Sequence, residues 1–298
     1  MTATDLAPLD MMPFARPKIE RRVFEIRALK SLLLTLLTWF VAIVASIPLF
    51  SVIYMLAIHG GARLDFEALT ALPPAGFETG GGFGNAILGT LAMVAISTVI
   101  SVPIGVLAAV YLGILDPKSR LAEVTRFLSK VLTGFPSILA GVFAYATVVL
   151  WIGNYSAWAG GIALAVLMLP TVTLAAEEAM KQVPRRMTDA AYGMGCTRSQ
   201  VIWKVVLPTS LPGVLTGVIL AVAGAAGESA PLLFTALFSN YYLSQLSEPT
   251  ASLSILIYNF SGMPFENQIE LAWAASLVLV LIVLAFNIIA RVVGRPRF

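Results

Sequence analysis

The sequence predicts an all-α integral membrane protein with about six transmembrane helices, and three observations support that fold class. First, 58% of the 298 residues are hydrophobic and 12% are charged, whereas a soluble domain carries about 25% charged residues. Second, the mean hydropathy is +0.89. Third, the apolar residues lie in long runs, and a helix that crosses a bilayer needs about 20 such residues. Too few charges remain to cover a water-facing surface.

Six apolar runs follow one another along the chain, each bounded by polar residues or by a short turn. The turn at 153–156 is very short, and Trp151, Tyr155 and Trp158 flank it, as expected for aromatic residues at a membrane interface. The remaining connections, at 59–84, 116–130, 177–207 and 239–268, are polar or charged. The predicted spans are 31–58, 85–113, 131–152, 157–176, 208–238 and 269–290.

Two regions are predicted along the chain. Residues 1–30 form a cytoplasmic tail, in which Ile19, Val23 and Ile26 have the spacing of an amphipathic helix with basic residues around it. Such a helix would lie on the inner membrane surface, although a solvated basic tail fits the same residues equally well. Residues 31–298 form the transmembrane domain.

Lysine and arginine residues are distributed unevenly between the two sides of the predicted spans. Six lie in residues 1–30, four in 116–130, five in 177–207 and three in 291–298, whereas Arg63 alone lies on the other side. Basic residues near span ends mark the cytoplasmic side. Both termini and the two charged loops are therefore predicted to lie in the cytoplasm, which requires an even number of spans.

Several classes of function are excluded by what the sequence lacks. Nucleic-acid binding is typically indicated by a dense Lys/Arg run with interleaved aromatic residues, and the sequence contains no such run. The single cysteine, Cys196, cannot form an intrachain disulfide, and the single histidine, His59, cannot supply a zinc cluster or a His-based triad. There is no Gly-x-x-x-x-Gly-Lys-Ser/Thr phosphate-binding loop, and the predicted spans contain no aspartate or histidine for intramembrane proteolysis. We therefore expect no catalytic residue and no metal site in this chain.

The polar stretch 177–207 is the most informative part of the sequence, and its first half is predicted to be a short helix. Pro184 suits the first turn of a helix, since the N–H that it lacks would be unpaired there. Gly193 and Gly195 suit the end of that helix, because glycine tolerates the left-handed conformation found just after a helix C-terminus.

A second short helix is predicted to follow. Thr197 stands three residues before Gln200, which is the capping-box pattern of a helix N-terminus. We expect this helix to stop before Pro208. The two helices would form a knob that projects into the cytoplasm and docks a partner; an ordinary loop between two spans is the simpler alternative.

Glu228 is the one acidic residue placed well inside a predicted span, 208–238. An unpaired carboxylate at mid-bilayer costs about 2.5–3.5 kcal/mol, so Glu228 is predicted to line a water-filled path or a gate, or else to join two helices by a buried hydrogen bond. Gly224 and Gly227 suggest an irregular helix there, which is tolerated where it lines a cavity. The further candidates for the pathway or gate are Ser229, Pro231, Pro136, Ser137, Asn85 and Thr90.

In the predicted outer loop, residues 251–260 are mostly apolar. They are predicted to form a short helix against the outer gate or against a solute-binding protein. A simple loop that covers the helix bundle is the alternative.

Residues 189–208 resemble the EAA loop of ABC-importer permeases. The resemblance rests on Asp189-Ala190-Ala191, then Gly195, then Ile202 and Leu207-Pro208, with aspartate where the family usually has glutamate. It implies that this loop docks into a cleft of an ATP-binding subunit. The residues that it assigns to ATPase coupling are Asp189, Ala190, Ala191, Gly193, Gly195, Thr197, Ile202, Leu207 and Pro208.

Further stretches are similar to PstA-type permease subunits of phosphate ABC importers, with Gly-Glu-Ser-Ala-Pro-Leu-Leu-Phe-Thr at 227–235 as the most specific part. Two positions depart from that family: Leu174 and Gly224 stand where its members often carry arginine. The stretches that carry the likeness are GNAILGTLAMV (84–94), GFPSILAG (134–141), LPTVTLAAEEAMKQVP (169–184), LPGVLTGVILA (211–221) and AGESAPLLFTA (226–236).

The resemblance implies a permease subunit of a phosphate importer in a bacterial-type plasma membrane. Its partners would be a second, different permease subunit, two copies of a cytoplasmic ATP-binding subunit and an extracytoplasmic phosphate-binding protein. The chain itself would bind no cofactor, and the ATPase would use ATP and Mg. An ABC importer of another small anion or solute is the first alternative, and an ion-coupled secondary transporter or channel is the second.

Overall fold

The computed structural model describes residues 26–294, with side chains from residue 29 onward. The amphipathic helix predicted from Ile19 and Val23, and the last basic residues of the C-terminal tail, lie outside the described residues. The chain divides into two compact units, residues 1–53 and 54–298. The described part of the first unit belongs to a single apolar helix, and the helices that follow build the second unit.

The described residues fold into helices joined by short turns and a few longer loops. Four π-helical turns continue α1, α3, α5 and α9, at Leu56–Gly60, Tyr111–Leu115, Tyr145–Val149 and Ile202–Val206 respectively. The α-helices are α1 (Ile26–Met55), α2 (Phe66–Thr70), α3 (Gly84–Val110), α4 (Arg120–Thr133), α5 (Ser137–Ala144), α6 (Leu150–Ile152), α7 (Ala157–Lys181), α8 (Arg185–Gly193), α9 (Arg198–Val201), α10 (Leu207–Gly227), α11 (Ala230–Leu233), α12 (Leu253–Ser261) and α13 (Glu266–Val293).

Within the described residues, five helical segments are long and apolar enough to cross a membrane. They are Leu29–Gly60, Gly84–Leu115, Ala157–Lys181, Arg198–Gly227 and Glu266–Val293. A sixth span results when α4 and the helix from Ser137 to Ile152 are counted as one bent pair. The predicted all-α membrane fold is therefore confirmed, with five long helical spans and a sixth when the bent pair is counted as one span.

The third predicted span, 131–152, is wrong as a single helix. The chain bends by 107° between α4 and α5, and Pro136 at the bend has φ −57° and ψ 125°, outside the helical region. Proline disfavours helical backbone in the residue before it, which favours the break at this position. The charged stretch 116–130, predicted as a loop, is mostly α4, and the Ser119 hydroxyl caps its first turn by accepting from the N–H of Ala122 at 3.1 Å.

The second short helix of the 177–207 stretch was predicted to stop before Pro208, and this prediction is wrong. Helix α9 continues through the π-helical turn Ile202–Val206 into α10, so that 198–227 is one helical segment. A proline lacks the N–H of the helical ladder and its ring crowds the carbonyl one turn earlier, and a π-helical adjustment relieves both conflicts within membrane helices. The fourth span likewise runs on past residue 176, to Lys181.

The core is built where α3, α7 and α10 pack side by side. Glycine allows α3 and α7 to approach closely, because a Cβ at Gly105 would lie 2.8 Å from Val172 Cγ1 and one at Gly161 would lie 2.5 Å from Ile96 Cγ2. Small residues at helix interfaces are typical of membrane proteins. A second apolar cluster joins α12 to α13 and to the start of α3, so the short helix predicted within 251–260 is present and packed into the bundle.

Candidate functional site

The turn between α8 and α9 has the conformation that its sequence predicts. Gly195 has φ +83°, in the left-handed region that glycine adopts without steric cost. The Thr197 hydroxyl accepts from the N–H of Gln200, and the Thr197 N–H donates to Gln200 Oε1 at 2.8 Å. The predicted capping box is thus formed in both directions, and it fixes the direction in which α9 leaves the turn. Residues 185–206 are called the α8–α9 segment below.

One face of the α8–α9 segment is anchored in the core. Ala191, Val201 and Ile202 are buried against the cluster that contains the end of α7 and the start of α10. Because these anchors lie on both short helices, the segment is held as a unit on the bundle rather than as a loose loop.

The opposite face of the α8–α9 segment is exposed. Asp189 and Ala190 are both exposed, and nothing lies within 4 Å of the place where a Cβ would stand on Gly193 or Gly195. Large apolar side chains surround them, since Met187, Tyr192, Met194 and Trp203 are also exposed. Exposed apolar surface next to a rigid anchor is typical of an interaction site. Of the residues assigned to coupling, Ala191 and Ile202 serve as anchors instead.

A buried ion cluster lies just before this segment, and the sequence analysis did not single it out. Glu177 has a side chain that is 4% exposed, and its Oε1 accepts from Arg126 Nε at 2.6 Å and lies 2.7 Å from Lys181 Nζ. A buried carboxylate needs such partners. The Glu177–Lys181 spacing of four residues could have been noticed in the sequence, whereas nothing local relates Glu177 to Arg126.

The pathway candidate Glu228 lies directly after the end of a helix. α10 ends at Gly227, and Glu228 has φ −74° and ψ 126°, so the predicted fifth span 208–238 is broken where irregular backbone was expected. The Glu228 side chain is half-buried. Its carbonyl accepts from the hydroxyl of Ser254 at 2.9 Å, which ties the end of α10 to α12. Ser229 follows and begins the single-turn helix α11.

Each of the two proline candidates lies at one of the two broken spans. Pro231, at the start of α11, is buried, and a Cβ on Gly141 of α5 would lie 2.6 Å from Pro231 Cα. This contact brings the backbones of α5 and α11 together. Pro136 is exposed and Ser137 half-exposed at the bend that precedes α5. Helix α5, which follows the break in the third span, therefore packs against helix α11, which follows the break in the fifth span.

Asn85 and Thr90 are both buried in α3. The Asn85 side-chain amide donates to the carbonyl of Ser239 at 2.7 Å, and the Thr90 hydroxyl accepts from the N–H of Leu253 at 2.9 Å. Each side chain thus holds part of the 239–268 loop onto α3. These contacts support a packing role for both residues.

Among the described residues, no group of three His, Cys, Asp or Glu side chains is placed to hold a metal ion. The ring of His59 lies 5.3 Å from that of Trp273, and its Nδ1 lies 3.2 Å from the carbonyl of Met55. Cys196 is half-buried in the α8–α9 turn, where its N–H donates to the carbonyl of Ala191.

Comparison with solved structures supports the fold. The chain is similar to a subunit of a bacterial alginate ABC transporter, with 16% identity and a TM-score of 0.61, over 93% of this chain and 98% of that one. It is also similar to a chain of the MetNI methionine ABC transporter, with 20% identity and a TM-score of 0.56, over 72% of this chain and 96% of that one. At these identities the likeness concerns the fold.

Comparison of sequences identifies the family. Residues 101–296 match the profile of the family described as binding-protein-dependent transport system inner membrane component. The chain is 40% identical to the phosphate transport system permease protein PstA of Yersinia pestis over 81% of this chain and 82% of that protein. It is 36% identical to the probable phosphate transport system permease protein PstA of Methanocaldococcus jannaschii, over 89% of this chain and 94% of that protein. The chain belongs to the family of binding-protein-dependent transport system inner membrane components, among its PstA-type permeases.

Proposed function

We propose that this chain is the transmembrane permease subunit of an ATP-driven importer of inorganic phosphate. The substrate rests on the relatives, whose names assign them to phosphate transport and which match most of the chain at 36–40% identity. The complex would contain a second, different permease subunit, two copies of a cytoplasmic ATP-binding subunit and an extracytoplasmic phosphate-binding protein. The membrane would be a bacterial-type plasma membrane, with both chain termini in the cytoplasm.

The observation that carries the proposal is the α8–α9 segment. It combines a buried anchor, through Ala191 and Val201, with an exposed face around Asp189, Ala190 and Gly195. Its second helix is continuous with α10, since 198–227 is one helical segment. A subunit that grips the exposed face can therefore move the far end of α10, where the helix breaks at Glu228.

We place the gate at the meeting point of the two broken spans. Glu228 and Ser229 follow the end of α10, while Pro136 and Ser137 stand at the bend before α5, and Pro231 packs against Gly141 between them. Helix breaks are points where a small rotation changes the opening of a path. ATP binding would favour one state of this gate and hydrolysis the other, and the solute would shift the balance only by its different affinity for the two states.

Import of a different small anion or solute is the alternative to phosphate, because two positions of the chain lack the arginines that related permeases often carry. Gly224 is exposed on α10, with nothing within 4 Å of a Cβ built there. Related permeases often carry arginine at this position, which here has no side chain. They often carry a second arginine at the position of Leu174, which here is apolar. A permease without these two cations would fit another small solute if the second permease subunit also lacked them.

The test is uptake of radiolabelled phosphate into proteoliposomes that hold the full complex, with ATP inside and loaded phosphate-binding protein outside. We expect ATP-dependent uptake that stops when ATP is omitted. If phosphate is not taken up while another loaded binding protein stimulates the ATPase, the substrate is wrong and the importer stands. Uptake that follows an ion gradient without ATP would support the secondary-transporter alternative.

In the same assay we expect the Glu228→Gln variant to take up phosphate at least about fivefold more slowly, which corresponds to a barrier raised by about 1 kcal/mol. An amide keeps the size of the side chain but removes a carboxylate that would cost stability at membrane depth if it had no function. ATPase activity stimulated by the binding protein should persist. The exposed Glu123 of α4 provides the control variant Glu123→Gln, and equal uptake by the two variants would remove Glu228 from the pathway.

A further inference from the structure

The last turn of the second span is held from two sides by arginine side chains. α3 continues into the π-helical turn Tyr111–Leu115, and the carbonyls at a helix C-terminus have no partners within the helix. Here the carbonyls of Leu112, Ile114 and Leu115 accept hydrogen bonds from arginines of two other elements. Cations are stabilised at this end of a helix by its dipole.

The first arginine comes from the broken third span. Arg126 of α4 donates from Nη2 to the carbonyl of Leu112, from Nη1 to the carbonyl of Pro117 at 2.9 Å, and from Nε to Glu177 at 2.6 Å. Its side chain is 20% exposed. One planar guanidinium thus joins α4, the end of α3 and the end of α7, a geometry that a lysine cannot reproduce.

The second arginine comes from the α8–α9 segment. Arg198, the first residue of α9, donates to the carbonyl of Ile114 at 2.9 Å and to that of Leu115. Within the described residues these are the hydrogen bonds that join α9 to the end of α3. A displacement of the segment therefore pulls directly on the same helix end that Arg126 holds.

We propose that Arg126 and Arg198 form a coupling clasp: through the carbonyl end of α3, they transmit movement of the α8–α9 segment to α4, the first half of the bent third span. The proposal rests on the proposed function for the source of that movement. It gives the ATPase two routes to the gate, because α10 reaches Glu228 and α4 leads through the bend at Pro136 to α5. Both arginines are positioning residues, since each acts through the end of α3.

The clasp is tested by hydrogen–deuterium exchange on the full reconstituted complex, with and without ATP trapped by vanadate. In the unaltered complex, trapping should change exchange both in the α8–α9 segment and in α4. In the Arg198→Lys and Arg126→Lys variants, the response of the α8–α9 segment should persist while that of α4 falls about fivefold or more. Lysine keeps the charge, so the buried Glu177 stays paired in the Arg126→Lys variant.

The second readout is the number of ATP molecules hydrolysed per phosphate imported, which we expect to rise about fivefold or more in each variant. The double variant should be no worse than the worse single variant, because both arginines act through one helix end. Arg120→Lys, at an exposed arginine of the same helix α4, is the control and should match the unaltered complex. An unchanged α4 response in both variants, or additive effects in the double variant, overturns the clasp. No response of the α8–α9 segment in the unaltered complex would instead contradict the proposed function.

Discussion

Replacing Gly195 with valine is expected to weaken docking of the ATP-binding subunit by about tenfold, because left-handed backbone costs a side-chain-bearing residue about 1–2 kcal/mol and 1.4 kcal/mol corresponds to a factor of ten. The φ of Gly195 is +83°, and nothing lies within 4 Å of a Cβ built there. The effect therefore arises from the backbone conformation of the turn and not from a clash. The turn relaxes to another conformation, and α8 and α9 no longer present one surface. The measurement is the amount of ATP-binding subunit that co-purifies with the chain when the concentration of that subunit is increased.

The matched comparison is Gly195→Asn, which adds a side chain of similar size. Asparagine visits the left-handed region far more readily than a β-branched residue does. We expect this variant to keep most of the docking and most of the ATP-dependent phosphate uptake. Equal losses in the valine and asparagine variants would show that the exposed space beside Gly195, rather than its φ, is what the partner requires.

Gly89→Ala is expected to lower the apparent melting temperature of the purified chain in detergent by about 6–12 °C. A Cβ on Gly89 would lie 1.9 Å from the carbonyl oxygen of Ala251, and this oxygen belongs to the backbone. The neighbouring hydrogen bond from the Leu253 N–H to Thr90 fixes the two segments together. Overpacking costs about 1–3 kcal/mol, we expect the upper end at a backbone atom, and each kcal/mol shifts the melting temperature of a chain of this size by about 2–4 °C.

Gly113→Ala is the control for that experiment. The nearest atom to a Cβ on Gly113 is 3.7 Å away, in the side chain of Glu177, which is an ordinary van der Waals distance. Because alanine is a better helix former than glycine by about 1 kcal/mol, we expect this variant to melt at the same temperature or slightly higher. If both variants melted alike, the close approach of α3 to residues 250–253 would not be what limits stability.

Much of the fold was predicted from local patterns because the membrane makes those patterns strong. A segment in hydrocarbon must satisfy its own backbone groups, so long apolar runs become helices. The capping box at Thr197 and the left-handed glycine at Gly195 were also predicted correctly, since both depend on residues within one turn. The irregular backbone at Glu228 was expected from its glycine neighbours for the same reason.

Both prolines that were interpreted wrongly show where local patterns fail. Pro136 was placed inside the single predicted span 131–152, yet the chain bends there, and Gly141 of α5 packs closely on Pro231 of α11. Pro208 was expected to end a helix, yet a π-helical turn carries the helix past it while Val206 and Ser210 remain buried. A proline only removes a hydrogen bond and crowds a carbonyl, and packing decides whether the helix bends, stops or adjusts.

The membrane class, the order of the spans, the turn of the α8–α9 segment and the resemblance to a permease family could all be predicted from local patterns. Apolar runs, capping residues and motifs act over short distances along the chain. The contacts between side chains that are distant in the sequence could not be predicted in this way. The pairing of Arg126 with Glu177, 51 residues apart, and the hold of Arg198 on the end of α3 depend on how helices pack. The packing of the helices determines which residue pairs with a buried charge, and no local sequence pattern specifies that residue.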